Sequence, residues 1–277
     1  MSDQDKIIAH YRHGELLAAI SSGVEKLGKT SSNVSVDDLA AVDEFHIGGR
    51  QASVEFLNQL QLSADNHILD IGCGIGGTSR FVAERYKCTV SGIDLSDEYI
   101  RTGEKLCAWL GLEKTIHLQQ GSALQTGFEN NSFDAAYMLH VGMNIEDKDT
   151  LFKEAFRVLR SSSLFGIYDV MRMAEGELIF PLPWAENRTT SAVATLDEYK
   201  LALEKAGFVI EAERNRKDFA LEFFEKLKIK SASAKKRPAL GLHILMGDTA
   251  AIKVQNMVKN IASGKIAPVE LIARKPE

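Results

Sequence analysis

The sequence predicts an α/β fold: a doubly wound, mostly parallel seven-stranded sheet with helices on both faces and a helical cap. Three observations carry this. From residue 67 onward short apolar runs alternate with ten- to fifteen-residue stretches of helical periodicity, the pattern of strand–helix crossovers. The first such run, HILDIGCGIGG at 67–77, closes on a glycine-rich turn. Two stretches, 171–194 and 214–265, break the alternation and read as insertions over the C-terminal ends of the strands.

Residues 1–60 read as helical. Ile7, Ile8, Tyr11, Leu16, Leu17 and Ile20 recur at helical spacing, with Gly14 interrupting, and Val54, Leu57 and Leu60 line a later helix face. The strands then follow in order. The first is Ile68–Ile71 and leads into a helix at 77–86. The second is Cys88–Ile93, after which Ser96 caps a helix with Asp97 and Glu98 in its first turn, where acids favour the helix dipole. Gly111 stops that helix. Thr115–Gln119 is the third strand, and Phe133–Leu139 is the fourth, entered from a turn at Asn130-Asn131. A helix over 149–160 carries Leu151, Phe152, Ala155, Phe156 and Leu159 on one stripe. Leu164–Val170 is the fifth strand. Thr195-Leu-Asp-Glu198 is a capping box opening a helix that ends at Gly207. Phe208–Glu213 and Val269–Ala273 complete the seven. The expected organisation is an N-terminal helical lid (1–60), a core (61–170), cap insertions (171–194 and 214–265, with helices at 219–228 and 249–262), and two segments completing the sheet (195–213 and 266–277). The run holding Lys235, Lys236 and Arg237 reads as a solvated loop.

Composition narrows the function classes. The chain has 277 residues, 45% hydrophobic and 26% charged, with a formal net charge of −5. That is ordinary for a soluble globular protein and argues against a dedicated nucleic-acid binder, which carries a basic face. No apolar run is long enough for a membrane span, and the N-terminus lacks the apolar core of a signal peptide. Cys73, Cys88 and Cys107 form no metal-ligand spacing, so the expectation is a cytoplasmic protein without a bound metal.

Gly72, Gly74 and Gly77 match GxGxxG, which suits a dinucleotide as well as other adenosine ligands. Asp70 separates the two. A pyrophosphate over this turn would be repelled by the carboxylate, whereas S-adenosylmethionine carries an ammonium and a sulfonium that an acid attracts. The plainer alternative is a buried Asp capping the turn. Asp94, at the end of the second strand and 22 residues past Gly72, sits where an acid grips the two ribose hydroxyls.

LDIGCGIGG, SGIDLS, LQQGSA, NNSFDAAYMLHVGMNI and FKEAFRVLR, in that order over about residues 65–170, together resemble the class I S-adenosylmethionine-dependent methyltransferases. YRHGELLAAI and VDEFHIGGRQ are further similar to the small-molecule branch of sarcosine/dimethylglycine N-methyltransferase-like proteins. The resemblance implies contacts residue by residue. Gly72, Cys73 and Gly74 lie against the methionine part, Asp94 and Leu95 hold ribose and adenine, and Ser122 and Ala123 edge the adenine. Met138 and Leu139 approach the carboxyl end, and His46, Gly48 and Gly49 close over the cofactor. Two departures stand out. Ser161-Ser162-Ser163 replaces the usual Pro-Gly-Gly, implying a looser turn, and Ser122 replaces a common Asp.

Methyl transfer from a sulfonium is an in-line displacement, so a base is needed only when the nucleophile carries a proton. His140 is the first candidate for a base or substrate orienter. The alternative is that it packs under the cap and bonds a backbone carbonyl. Asn144 either orients a substrate heteroatom or caps the following helix region, and Tyr11 either covers the cofactor or belongs to the core. Phe180 and Trp184 suggest an aromatic wall, which attracts methylated ammonium groups, or else a hydrophobic plug. His243 and Met246 read as packing residues. The expectation is methyl transfer to a small cytosolic amine by a monomer or homodimer. Alternatives are O- or C-methylation, or cofactor binding without turnover.

Overall fold

The computed structural model describes residues 3–233 and 238–277. The basic triplet 235–237 lies outside the described residues. The strands are β1 (His67–Ile71), β2 (Thr89–Asp94), β3 (Ile116–Gln120), β4 (Phe133–Leu139), β5 (Leu159–Arg172), β6 (Val209–Asn215) and β7 (Ile266–Arg274). They form one sheet in the order β3-β2-β1-β4-β5-β7-β6. The pairs β1–β2, β1–β4, β2–β3 and β4–β5 are parallel. β7 runs antiparallel to both β5 and β6. The sheet is therefore mixed, with one reversed strand.

The helices are α1 (Asp3–His10), α2 (Leu16–Lys26), α3 (Val36–Asp43), α4 (Gly49–Leu57), α5 (Gly77–Tyr86), α6 (Asp97–Trp109), α7 (Lys148–Val158), α8 (Leu196–Ala206), α9 (Lys217–Ser233), α10 (His243–Met246) and α11 (Ala250–Ala262). The Ser96 hydroxyl caps α6 by accepting from Tyr99 N–H, and the Thr195–Glu198 capping box opens α8.

The two-residue period of the strands splits the core into two layers. Leu69 and Ile71 of β1 pack with Met138 and Ile167 on one face, against α7 and α8. Ile68 packs with Tyr137 and Tyr168 on the other, against α4 and α5. Asp70 shares the Ile68 face and so points at α5.

Two elements differ from expectation. The fifth strand begins at Leu159 rather than Leu164, so the stripe read as helix to residue 160 ends at Val158. The serine run is not a free turn. Ser162 sits in the strand at φ +65°, its N–H donating to Lys275 O at 2.8 Å. Pairing with the returning β7 end recruits these serines into the sheet, a tertiary effect that local periodicity does not encode.

Candidate active site

The turn after β1 presents a cavity of about 380 Å³ at the C-terminal edge of the sheet. Gly72 has φ +71°, and a Cβ there would lie 2.4 Å from Val141 Cγ2, so the position requires glycine. The N–H groups of Gly72 and Cys73 both donate to Ile93 O, at 2.8 and 3.0 Å, fixing the turn against β2. Asp70 is buried, and its Oδ2 accepts from Ser79 Oγ at 2.6 Å and Tyr137 Oη at 2.9 Å. Burial pushes its pKa up to about 7, against the pull of those two hydroxyls. Asp94 accepts from Gly74 N–H at 3.0 Å and Ser96 N–H at 2.8 Å, one on each oxygen. It thereby joins the glycine turn to the start of α6, and burial raises its pKa too. Each oxygen retains a second lone-pair direction.

Leu95, Ser122, Ala123, Leu139 and His46 line the same cavity. Ser122 Oγ accepts from Gln4 Nε2 at 2.9 Å, which brings α1 across the mouth. Cys73 is buried and its thiol is held well above the ordinary range, so only its backbone is available for chemistry. Three expectations need correction. Met138 is fully buried in the core layer against α7, because the alternation that exposes Leu139 turns its neighbour away. Gly48 and Gly49 border a second cavity instead of this one.

His140 is held differently from a base. It has φ +56°. Ile47 N–H donates to its Nε2 at 3.3 Å, and its Nδ1 lies 3.2 Å from Tyr168 O. An imidazole that accepts at Nε2 must carry its proton at Nδ1, so the ring is neutral and both nitrogens are engaged. Burial lowers its pKa to about 3. The reading of His140 as a proton-accepting base is therefore replaced by that of a neutral anchor. Tyr168 Oη donates to Ile47 O at 2.9 Å, so His140 and Tyr168 grip both backbone groups of Ile47.

His46, next to Ile47 in the loop between α3 and α4, packs its ring 6.0 Å from that of His140. Its Nε2 lies 3.0 Å from Ser53 Oγ, and burial depresses its pKa. Tyr11 Oη donates to Asn144 Oδ1 at 3.3 Å, linking the end of α1 to the short turn Gly142–Asn144. Both side chains face the cavity.

Sequence reasoning missed Asp43. It ends α3, lines the cofactor-side cavity, and pairs with Arg80 at 2.5 Å, both side chains fully buried. Arg80 Nη1 also donates to Ile75 O at 2.7 Å. A Cβ on Gly77 would lie 2.5 Å from Asp43 Cβ, so the end of α3 rests directly on the start of α5. No local signal marks Asp43, because its partner lies 37 residues away.

The second cavity, about 860 Å³, adjoins the first. Tyr11, Phe45, His46 and His140 line both. Trp184 borders it, its Nε1 donating to Ser191 Oγ at 3.0 Å, whereas Phe180 packs into the apolar cluster of the cap. His243 and Met246, read as packing residues, line this chamber. They sit where α10 turns inward, which residue type alone does not reveal.

The first cavity fits a cationic ligand. Asp43, Asp70, Asp94, Glu146 and Asp147 line it, and among the described residues no lysine or arginine does. A pyrophosphate would meet only repulsion, whereas the ammonium and sulfonium of S-adenosylmethionine meet carboxylates. Among the described residues no helix is long and apolar enough to cross a membrane.

Comparison with known proteins agrees with this geometry. Residues 68–162 match the methyltransferase domain family. The chain is 30% identical to the sterol 24-C-methyltransferase erg6 of Aspergillus fumigatus, over 40% of this chain and 30% of that protein. It is 32% identical to the ajmaline N-methyltransferase of Rauvolfia serpentina, over 42% of this chain and 44% of that one. The matches thus span less than half the length of these relatives. The geranyl diphosphate C-methyltransferase of Streptomyces coelicolor, solved with Mg2+, geranyl diphosphate and S-adenosyl-L-homocysteine, superposes with a TM-score of 0.69. It covers 99% of both chains at 15% identity, a likeness of fold. The glycine turn and its two acids fall within the matched segment, so residues 68–162 form a methyltransferase domain, set in a seven-stranded sheet with one reversed strand.

Proposed function

We propose that the chain transfers a methyl group from S-adenosylmethionine, held in the first cavity, to a small-molecule acceptor held in the second. The observation that carries this is the meeting of the two cavities at Tyr11, Phe45, His46 and His140. A donor on one side and an acceptor on the other would then approach in line, and alignment is most of what this displacement asks of a protein.

In this reading Asp94 accepts from the ribose hydroxyls, and Asp70 sits on the ammonium side. The backbones of Gly72, Cys73 and Gly74 follow the methionine part, and Leu95, Ser122 and Ala123 border the adenine. The cofactor supplies a methyl already activated on a positively charged sulfur. Tyr11 and Asn144 orient the acceptor, and His140 positions the lid loop through Ile47. An amine nitrogen is the acceptor atom we favour, although the named relatives include both carbon and nitrogen methyltransferases. With His140 neutral and occupied, the amine enters unprotonated, its proton left on bulk water, because burial in apolar surroundings disfavours the ammonium. We propose a cytoplasmic enzyme, monomeric or homodimeric, acting on no nucleic acid.

Two tests bear on these roles. With Asp70 near pKa 7 in the free protein, a bound cation stabilises its carboxylate, lowers its pKa and expels the proton. S-adenosylmethionine binding should release protons at pH 7 and weaken as pH falls from 8 to 6. Calorimetry in buffers of different ionisation enthalpy reads this, and Asp70→Asn should abolish the release. Proton release equal in the variant would remove Asp70 from the cofactor's charge. The second test concerns His140→Gln. It should lower turnover by about tenfold, the worth of one lost anchor bond, while leaving the pH profile between 6 and 9 unchanged in shape. Disappearance of an acidic limb in the variant would restore His140 as a base.

A further inference from the structure

The size of the second chamber is not explained by methyl transfer alone. It holds about 860 Å³, against about 380 Å³ for the cofactor cavity. It is thus more than twice the size of the cavity assigned to S-adenosylmethionine, and an amino acid of sarcosine's size would fill only a small part of it.

Much of the polarity gathers at one end, where Arg50 Nη1 and Nη2 are buried with no hydrogen-bond partner among the described residues. Ser53 Oγ donates to Glu44 at 2.6 Å, and Arg50 Nε lies 2.7 Å from the other Glu44 oxygen. The Arg50 guanidinium stacks on Phe81, 4.1 Å from the ring centre. Past this end the wall is built of groups such as Met143, Trp184, Phe224, Val254 and Met257. Among the described residues Lys230 is the one further lysine, arginine or carboxylate on that wall. Thioethers and aromatic faces suit an apolar guest of irregular shape. The apolar lining continues outward. Leu227 of α9 borders the chamber and is itself 43% exposed.

We infer that the acceptor is a bulky, predominantly apolar molecule, a long alkyl chain or fused-ring skeleton with its nucleophile at one end. The nucleophile lies beside Tyr11 and His46, and the skeleton lies between α9 and α11. A short polar amine would leave the chamber filled with water held against apolar walls, gaining little from burial. This inference rests on the methyl-transfer reading of the same site.

The test uses the full chain saturated with S-adenosylhomocysteine and measures binding of two probes by calorimetry. One is dodecylamine, kept below its micelle concentration, and the other is sarcosine. Dodecylamine should bind about a hundredfold or more tightly than sarcosine, because each buried methylene adds favourable transfer energy. Val254→Trp, which fills the chamber, should weaken dodecylamine at least about tenfold and leave S-adenosylhomocysteine affinity unchanged. Met257→Trp repeats the measurement should the first variant fail to fold, as judged by its S-adenosylhomocysteine affinity. Sarcosine binding as tightly as dodecylamine, or dodecylamine binding untouched by a filled chamber, overturns the inference. Failure of the wild-type chain to bind S-adenosylhomocysteine would instead undo the methyl-transfer reading itself.

Discussion

Asp43→Ala should cost about 3–5 kcal/mol of folding stability, the largest effect expected of any single substitution near the site. The pair Asp43–Arg80 is fully buried. Burial pushes the Asp43 pKa up even against the adjacent guanidinium, so desolvation outweighs attraction here. Asp43 Oδ2 and Arg80 Nε also have no hydrogen-bond partner among the described residues. Such a pair contributes little net stability while intact, but removing one member strands a bare charge. The thermal midpoint should fall on the order of 10 °C, measured by calorimetry or circular dichroism. The double variant Asp43→Ala/Arg80→Met should recover most of the loss, because it buries no charge. A single variant within about 1 kcal/mol of wild type would mean that water reaches the pair.

Asp94→Ala carries the largest effect expected on binding. S-adenosylmethionine affinity should drop by about 2 kcal/mol or more, roughly thirtyfold, because two charge-assisted hydrogen bonds to a diol disappear together. The substitution also frees Gly74 N–H and Ser96 N–H, which Asp94 now holds. Asp94→Asn separates the two roles. Its amide oxygen still accepts one backbone bond, but it has no negative charge and presents donors to the diol. Calorimetric titration of the three proteins decides the matter, and equal affinities throughout would move the ribose site elsewhere.

Much of the fold was legible because its information is local. Strand and helix periods, the Ser96 cap and the Thr195–Glu198 box each depend on residues within one turn of each other. The direction of β7 was not, since VELIA reads the same up or down a sheet. Nor was the length of β5, whose serines are drawn into the ladder by Lys275. At the site, the glycine turn and its two acids stood out because charge beside glycine is locally anomalous. His140 was visible as a residue but not as a state. Its neutrality depends on Ile47 and Tyr168, which approach from two other segments. Met138 and Leu139 illustrate the same limit on a smaller scale, since a one-residue offset decides which of two neighbours meets a ligand. The second chamber was invisible for a stronger reason. Its wall runs from Tyr11 to Met257, and no sequence window contains it.

The cap helices α9, α10 and α11 lie in sequence between β6 and β7, which are direct neighbours in the sheet. Topologically, then, this part of the cap is the connection of a single hairpin. Closing a longer connection costs only about 0.6 kcal/mol for each doubling of its length. Its first residue is tied back to the sheet, Arg216 N–H donating to Pro268 O at 2.8 Å. The helices of this connection can therefore be exchanged, lengthened or shortened with little penalty to the sheet. The glycine turn, on the opposite side of β4, is untouched by such exchange. A scaffold wired this way lets one side of the second chamber vary while the glycine turn is inherited unchanged.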